Sequence, residues 1–217
     1  MTHLNRNKRR LIAALAIVLS LAGGICIFYR LHQPGQPGGT YESMQGWQPI
    51  GGRWSAQGSM YSNSNYGRGD MLIAPHSQGT NYRISADIRF DLLFPETHYG
   101  DAGLVIRTTD PQQGVDSYQG YYAGVRADDQ VLMLGRASFD WHELKAVHLN
   151  SPVSVGSWYH LDLSVHGCDI AVAITPTSGG PSTQLEFHDE HCLTEGVAGL
   201  RSFYAQASWR NVEVTPN

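Results

Sequence analysis

The stretch GDAGLVIRTTD, Gly100–Asp110, decides the fold. Ala102, Leu104 and Ile106 fall on one side of an alternating strand, and Gly103, Val105 and Arg107 on the other. A strand buried on both faces would strand the charge of Arg107, so one face of this sheet must look outward. By that parity Arg107 projects from the outer face, where it either pairs with a carboxylate or grips a ligand.

The same alternation continues along the chain. In NYRISADIRFDL, Asn81–Leu92, residues Ile84, Ala86, Ile88 and Phe90 oppose Ser85, Asp87, Arg89 and Asp91. QGYYAGVRADDQVLML, Gln119–Leu134, gives two strands around an Ala-Asp-Asp turn, and SWYHLDLSVHGCDIAVAITP, Ser157–Pro176, gives two more around His166-Gly167. No helix-period segment or internal repeat follows Trp47, and 24 glycines and 11 tyrosines suit turns and strands. The pattern predicts an all-β antiparallel sandwich.

The N-terminus differs. Leu11–Tyr29 carries no charge and, as a helix rising 1.5 Å per residue, would span roughly 28 Å, close to the hydrocarbon thickness of a bilayer. Arg6, Lys8, Arg9 and Arg10 precede it and Arg30 follows, so the positive-inside rule keeps residues 1–10 cytoplasmic and exports the rest. The rival reading is a cleaved signal peptide, for which Ser20-Leu21-Ala22 offers small residues at the inspected positions. Either way the remainder lies outside the cytoplasm, periplasmic or extracellular. The absence of an Asn-x-Ser/Thr sequon favours a bacterial envelope. Residues 30–40, containing HQPGQPGG, form a Pro/Gly linker, and the folded domain occupies 41–217.

From Leu31 onward ten cations face nineteen acids, a net charge of −9. Nucleic acid is a poor partner for such a domain; a neutral ligand suits it better. Beyond the apolar run only Cys168 and Cys192 remain. In an exported domain they are expected to pair, closing a loop worth roughly 3 kcal/mol, the alternative being two buried free thiols. No Cys-x-x-Cys motif supports a redox or zinc role.

The order GGRWSAQGSM, YRISADIRF, DAGLVIR, GYYAGV, VLMLGR, SWYHLDLSVHG, IAVAI, GVAGLR and ASWRNVEV resembles the concanavalin A-like lectin/glucanase superfamily. More closely it resembles laminin-G-like and 3-keto-disaccharide hydrolase-like domains, over nearly all of residues 41–217. The resemblance implies a jelly roll of two curved antiparallel sheets, the concave one commonly carrying a carbohydrate site. Fold alone does not fix function. The outward residues are therefore the candidates. Tyr122 and Trp141 would stack a sugar ring, while Arg107, Arg136 and Asp101 would order its hydroxyls. The expected partner is a neutral glycan or oligosaccharide, with the Leu11–Tyr29 helix holding the module to the membrane.

Catalysis has no motif here. The Glu-x-Asp-x-x-Glu strand of glycosidases in this superfamily is missing, as are a Gly-x-Ser-x-Gly elbow and a P-loop. No catalytic residue is assigned and no cofactor is expected, although Asp101, Asp116 or Glu143 could still meet in space. A hydrolase or lyase on an oxidised disaccharide is thus the alternative, and an envelope interaction module the third reading. His188, Asp189, Glu190 and His191 match no zinc spacing and read as a solvated loop. Glu42, Asp189 and Glu213 are acids of the kind calcium uses, but nothing pairs them, so no metal site is assigned. Arg68-Gly69-Asp70 forms the integrin tripeptide, which three residues can match by chance.

Overall fold

In the computed structural model the described residues are Met44, 46–76 and 79–216. The basic tail 1–10, the expected anchor Leu11–Tyr29 and the linker 30–40 lie outside them. Among the described residues no helix is long and apolar enough to cross a membrane.

Fourteen strands follow one another: β1 (Gln48–Ile50), β2 (Trp54–Gln57), β3 (Met60–Asn63), β4 (Arg68–Ile73), β5 (Tyr82–Leu93), β6 (Asp101–Thr109) and β7 (Gln119–Arg126). Then come β8 (Val131–Ser138), β9 (Trp141–His148), β10 (Trp158–His166), β11 (Asp169–Pro176), β12 (Thr183–His188), β13 (Val197–Phe203) and β14 (Ala205–Pro216). They form two seven-stranded antiparallel sheets. The first runs β1-β4-β13-β6-β7-β8-β9 and the second β12-β11-β10-β5-β14-β3-β2. The all-β antiparallel sandwich read from the sequence is the fold.

The alternation works as expected in the long strands. Ile84, Ile88, Leu161, Leu163 and Trp209 of the second sheet meet Leu104, Ile106, Leu132, Leu134 and Leu200 of the first, all buried in one core. Each such side chain contributes about 1.5–3 kcal/mol of transfer free energy. The Trp209 indole donates to the Gly103 carbonyl at 3.2 Å, stitching one sheet to the other. Tyr121, Ala123 and Val125 also face this core. Tyr122, one residue out of phase, does not; it joins a smaller apolar cluster on the far side of the first sheet, with Val105, Met133 and Tyr118.

Cys168 and Cys192 form a disulfide, with Cα atoms 5.4 Å apart. Beside it lies the first departure from parity. Arg107 has φ of +49°, and the β6–β7 register shifts between Ile106 and Thr109. One left-handed residue in a bulge turns the side chain away from the outer face. The Arg107 guanidinium donates to the carbonyls of Thr80 (2.5 Å), Gly167 (2.7 Å) and Leu193, while its backbone N–H donates to the Tyr82 hydroxyl at 2.6 Å. Tyr82 and Gly167 belong to the second sheet and its β10–β11 turn. Arg107 therefore ties the ends of the two sheets together and is only 1% exposed.

Candidate functional site

Among the described residues no third layer of secondary structure covers the outer face of the first sheet, yet that face hides charge. Arg201 sits on β13 opposite Gly103 of β6. With no side chain at Gly103, the guanidinium reaches across to the ring of Tyr122, its carbon 4.5 Å from the ring centroid, and also faces Phe203 and Tyr118. It donates to Asp116 at 2.7 Å and to Asp101 at 3.5 Å. The Tyr122 hydroxyl donates to the same oxygen of Asp101, Oδ1, at 2.6 Å. Arg201, Asp101 and Tyr122 are at most 3% exposed.

Two glycines make this close packing possible. A Cβ on Gly124 would stand 2.3 Å from the Tyr122 hydroxyl, and one on Gly135 would stand 2.2 Å from the Trp141 ring. Tyr122 thus lies flat along its own strand toward Asp101, and Trp141 lies flat over β8. The two rings meet edge to face, centroids 6.1 Å apart. The connection 110–118 folds over one side, bringing Asp116 to Arg201 and Tyr118 into the outer cluster.

Above the cluster opens a pocket of about 110 Å³, lined by Tyr99, Asp101, Asp116, Arg126, Met133, Trp141, Arg201 and Phe203. Arg126 is held at its edge by Glu143, at 2.9 Å, and Asp129, at 3.0 Å. Burial pushes the Asp101 carboxyl up from its ordinary 3.8 to about 6, against the opposing pull of Arg201 and the Tyr122 hydroxyl. Arg201 stays charged: burial acts against its proton, but Tyr118, Asp101, Tyr122 and Asp116 together outweigh it. Burial also lifts the Tyr122 phenol well above its usual range, so it remains a donor. Arg201 Nε and the Tyr118 hydroxyl are buried without a protein partner. The site presents a carboxyl, a guanidinium and hydroxyl groups beneath aromatic walls, the mixture that suits a small polyhydroxylated ring.

Of the residues expected from sequence, Asp101, Tyr122 and Trp141 converge here. Arg107 does not, for the reason given above: its bulge sends it to backbone carbonyls between the sheets. Nor does Arg136 reach the pocket. It shares parity with the core residues Leu132 and Leu134, and it donates to Asp189 at 3.2 Å and to the His191 carbonyl at 2.8 Å. Asp189 also accepts from the Tyr121 hydroxyl at 2.6 Å. The 188–191 run is thus not a wholly solvated loop: His188 ends β12, paired to Asp169 at 2.7 Å, and Asp189 opens the following turn buried against Tyr121 and Arg136. Among the described residues no group of three or more His, Cys, Asp or Glu side chains could hold a metal ion. In Arg68-Gly69-Asp70, Asp70 is buried and accepts from Asn63 and Asn65 at 3.0 and 2.9 Å, so its carboxylate is engaged internally.

Arg201, Tyr99 and Phe203 complete the site without having been singled out, and Asp116, named from sequence only as an acid that could meet Asp101 in space, joins them at Arg201. For Arg201 the signal was present: in GVAGLRSF, Leu200 faces the core, so Arg201 and Phe203 must face outward. Asp116 comes from a loop, where parity says nothing.

Fold and site together define a lectin-like β-sandwich with a small polar pocket on one sheet. The carbohydrate-binding module CBM66 of Bacillus subtilis is similar at a TM-score of 0.64 and 20% identity, over 78% of this chain and 94% of that one. A Bacillus subtilis protein with a galectin-like fold has a TM-score of 0.61 at 15% identity, covering 83% and 93%. The exoplasmic/lumenal domain of VIP36, in its Ca2+/Man2-bound form, gives 0.61 at 10% identity, covering 83% and 84%. At these identities the likeness establishes the fold. No curated protein matches the chain. The family model for the 3-keto-alpha-glucoside-1,2-lyase-like domain matches residues 39–215, and the chain belongs to that family.

Proposed function

We propose that this domain is a non-catalytic carbohydrate-binding module that holds one unit of a neutral glycan in the pocket over Asp101, Tyr122 and Arg201. The observation that carries the reading is the buried charge cluster. Placing a guanidinium and two carboxyls under 10% exposed costs several kcal/mol per ion unless they are fully paired. Here they stand beneath a pocket walled by Trp141, Tyr99 and Phe203, which offers a sugar both an apolar face and fixed hydrogen-bonding groups. Arg201 is paired with Asp101 and Asp116, and Arg126 with Glu143 and Asp129, so both cations of the pocket are already engaged by carboxyls, which disfavours an anionic ligand. The lectin and carbohydrate-module neighbours add the precedent of the fold. The apolar Leu11–Tyr29 segment would anchor the module to a membrane, with the domain on the exported side.

The full-length chain applied to a glycan array should retain neutral glycans. Trp141→Ala and Asp101→Asn should each lower retention by about tenfold or more while the melting temperature stays within a few degrees. Unchanged retention in both variants rejects the pocket.

One observation favours a second reading. Asp101 and Asp116 both contact Arg201, so two carboxyls share the pocket, as acid/base chemistry on a 3-keto-disaccharide would require. Turnover of such a substrate, lost in Asp116→Asn, would establish the enzyme in place of the binder.

A further inference from the structure

The buried cluster leaves hydrogen-bonding capacity unspent. Arg201 Nη1 donates to Asp101 Oδ1 and Nη2 donates to Asp116 Oδ1. Each of those nitrogens carries a second hydrogen, for which the described residues offer no acceptor. The two carboxyls are half used in the same way. Both strong claims on Asp101, from Tyr122 and Arg201, converge on Oδ1, and Oδ2 has only the Tyr99 hydroxyl at 3.5 Å, the outer limit of a hydrogen bond. Among the described residues Asp116 Oδ2 has no donor. Tyr99, Asp101, Asp116 and Arg201 all line the pocket. Buried polar groups are ordinarily satisfied, so these call for a partner that enters there.

The shape of that partner follows from what the two carboxyls share, which is one guanidinium. Nη1 and Nη2 hang on a single carbon, so the spare N–H beside Asp101 and the spare N–H beside Asp116 stand one fork width apart. Such a fork matches the paired oxygens of a carboxylate and, with little change, two gauche oxygens on neighbouring ring carbons. Equatorial hydroxyls one carbon further apart overreach it. Each hydroxyl of an adjacent pair accepts from one arm of Arg201 and donates to the carboxyl oxygen beside that arm, and the linked bonds reinforce one another.

We propose that Asp101 and Asp116 hold two adjacent hydroxyls of one sugar ring across Arg201, so that the pocket selects a unit carrying a free vicinal diol. This rests on the pocket reading above and adds the hydroxyl pattern that the pocket requires. A carbonyl at the third ring carbon leaves no adjacent hydroxyl pair, so the oxidised ring of a 3-keto-disaccharide is refused. The diol therefore also parts the binding reading from the enzymatic one.

The test is calorimetric titration of the full-length chain at a pH well above the Asp101 titration, with methyl α-pyranosides of glucose, mannose and galactose and their monodeoxy forms. Removing the 3-hydroxyl abolishes every adjacent pair on such a ring, whereas removing the 6-hydroxyl abolishes none. For a parent glycoside that binds, the 3-deoxy form should be weaker by about tenfold or more and the 6-deoxy form by no more than about threefold. At least one of the 2-deoxy and 4-deoxy forms should fall with the 3-deoxy form, which identifies the pair. Asp101→Asn and Asp116→Asn should bind the parent glycoside more weakly and shrink its advantage over the 3-deoxy form towards none. Trp141→Ala, which removes a wall and no hydroxyl partner, should weaken both alike and keep the advantage. If the 3-deoxy form binds as well as the 6-deoxy form, if it falls alone, or if neither Asp variant shrinks the advantage, the diol is wrong, while weakening by Trp141→Ala keeps the pocket. If none of the three parent glycosides binds, both fall.

Discussion

The two sheets of this sandwich each have seven strands and each turns one face away from the core, yet those outer faces are built on opposite plans. On the second sheet the cationic partners stand half in water and pair along the surface with acids, of which Asp87 is itself buried. Arg83 bonds Asp162, His160 bonds Asp87 at 2.9 Å, and Arg210 bonds Asp87 at 3.2 Å. Trp158 there is flanked by Arg89 and Arg210, whose guanidinium carbons lie 4.7 and 4.2 Å from its ring. On the first sheet, glycines remove the side chains that would hold charges apart, and Arg201, Asp101 and Asp116 sink beneath aromatic rings. The lesson is that ion pairs mark a site by their burial and not by their number. On the second sheet every cation of the network reaches water, even where Asp162 lines a hollow of its own; on the first, the cation too is buried.

Removing a cation should separate the two faces most widely. Arg201→Ala leaves Asp101 and Asp116 buried without their guanidinium and should cost about 3–5 kcal/mol in urea unfolding. A loss under 1 kcal/mol would mean that the cluster is open to water. The next effect is one of pH. Asp101 titrates at about 6 in the fold against 3.8 for an ordinary carboxyl, so the folded state holds its proton more tightly. Its contribution is therefore complete below about pH 4 and lost as pH rises through 6, about 2–3 kcal/mol in all. Asp87 on the other face runs the opposite way. Burial raises its carboxyl, but the bonds from His160, Asn211 and Arg210 outweigh that and lower it, so its contribution is present above pH 4 and lost on acidification. Urea midpoints between pH 3 and 7 for Asp101→Asn and Asp87→Asn should flatten opposite limbs of the parent curve; parallel curves would erase the distinction.

A smaller effect concerns the floor of the pocket. Gly135→Ala forces Trp141 to lift from β8, and overpacking of this kind costs about 1–3 kcal/mol. Binding of the array ligands should fall by about tenfold, whereas Gly167→Ala, at a turn with open space around it, should leave binding intact. Smallest of all, Arg83→Ala on the second sheet breaks a pair whose arginine side chain is 41% exposed and should change stability by less than about 1 kcal/mol. A larger loss there would mean that the exposed network is structural after all.

Much of this was legible in the chain because strands obey a period of two. That rule placed Ile84, Leu104 and Leu161 in the core and sent Tyr122 outward, and the two late cysteines found each other. It failed at Arg107, where one left-handed residue shifts the phase within an unbroken run of strand-forming residues. Nothing in GLVIRTT announces that bulge. For Arg136 the rule was sound but was set aside for its nearness to Trp141; read by parity with Leu132 and Leu134, it faces inward. Asp116 was legible only as an acid that could meet Asp101 in space, since its partner Arg201 lies far along the chain and only the folded loop brings them together.

Arg107, though outside the pocket, has a further consequence. It clamps the last turn of β6 to the carbonyls of Thr80, Gly167 and Leu193 just before the chain departs into 110–118. That segment is thus a bridge between two supports, Arg107 before it and the buried Tyr118 after it, and its span carries Asp116 to the hollow. The stiffness felt by a bound molecule is set several residues upstream, by a guanidinium the molecule never meets.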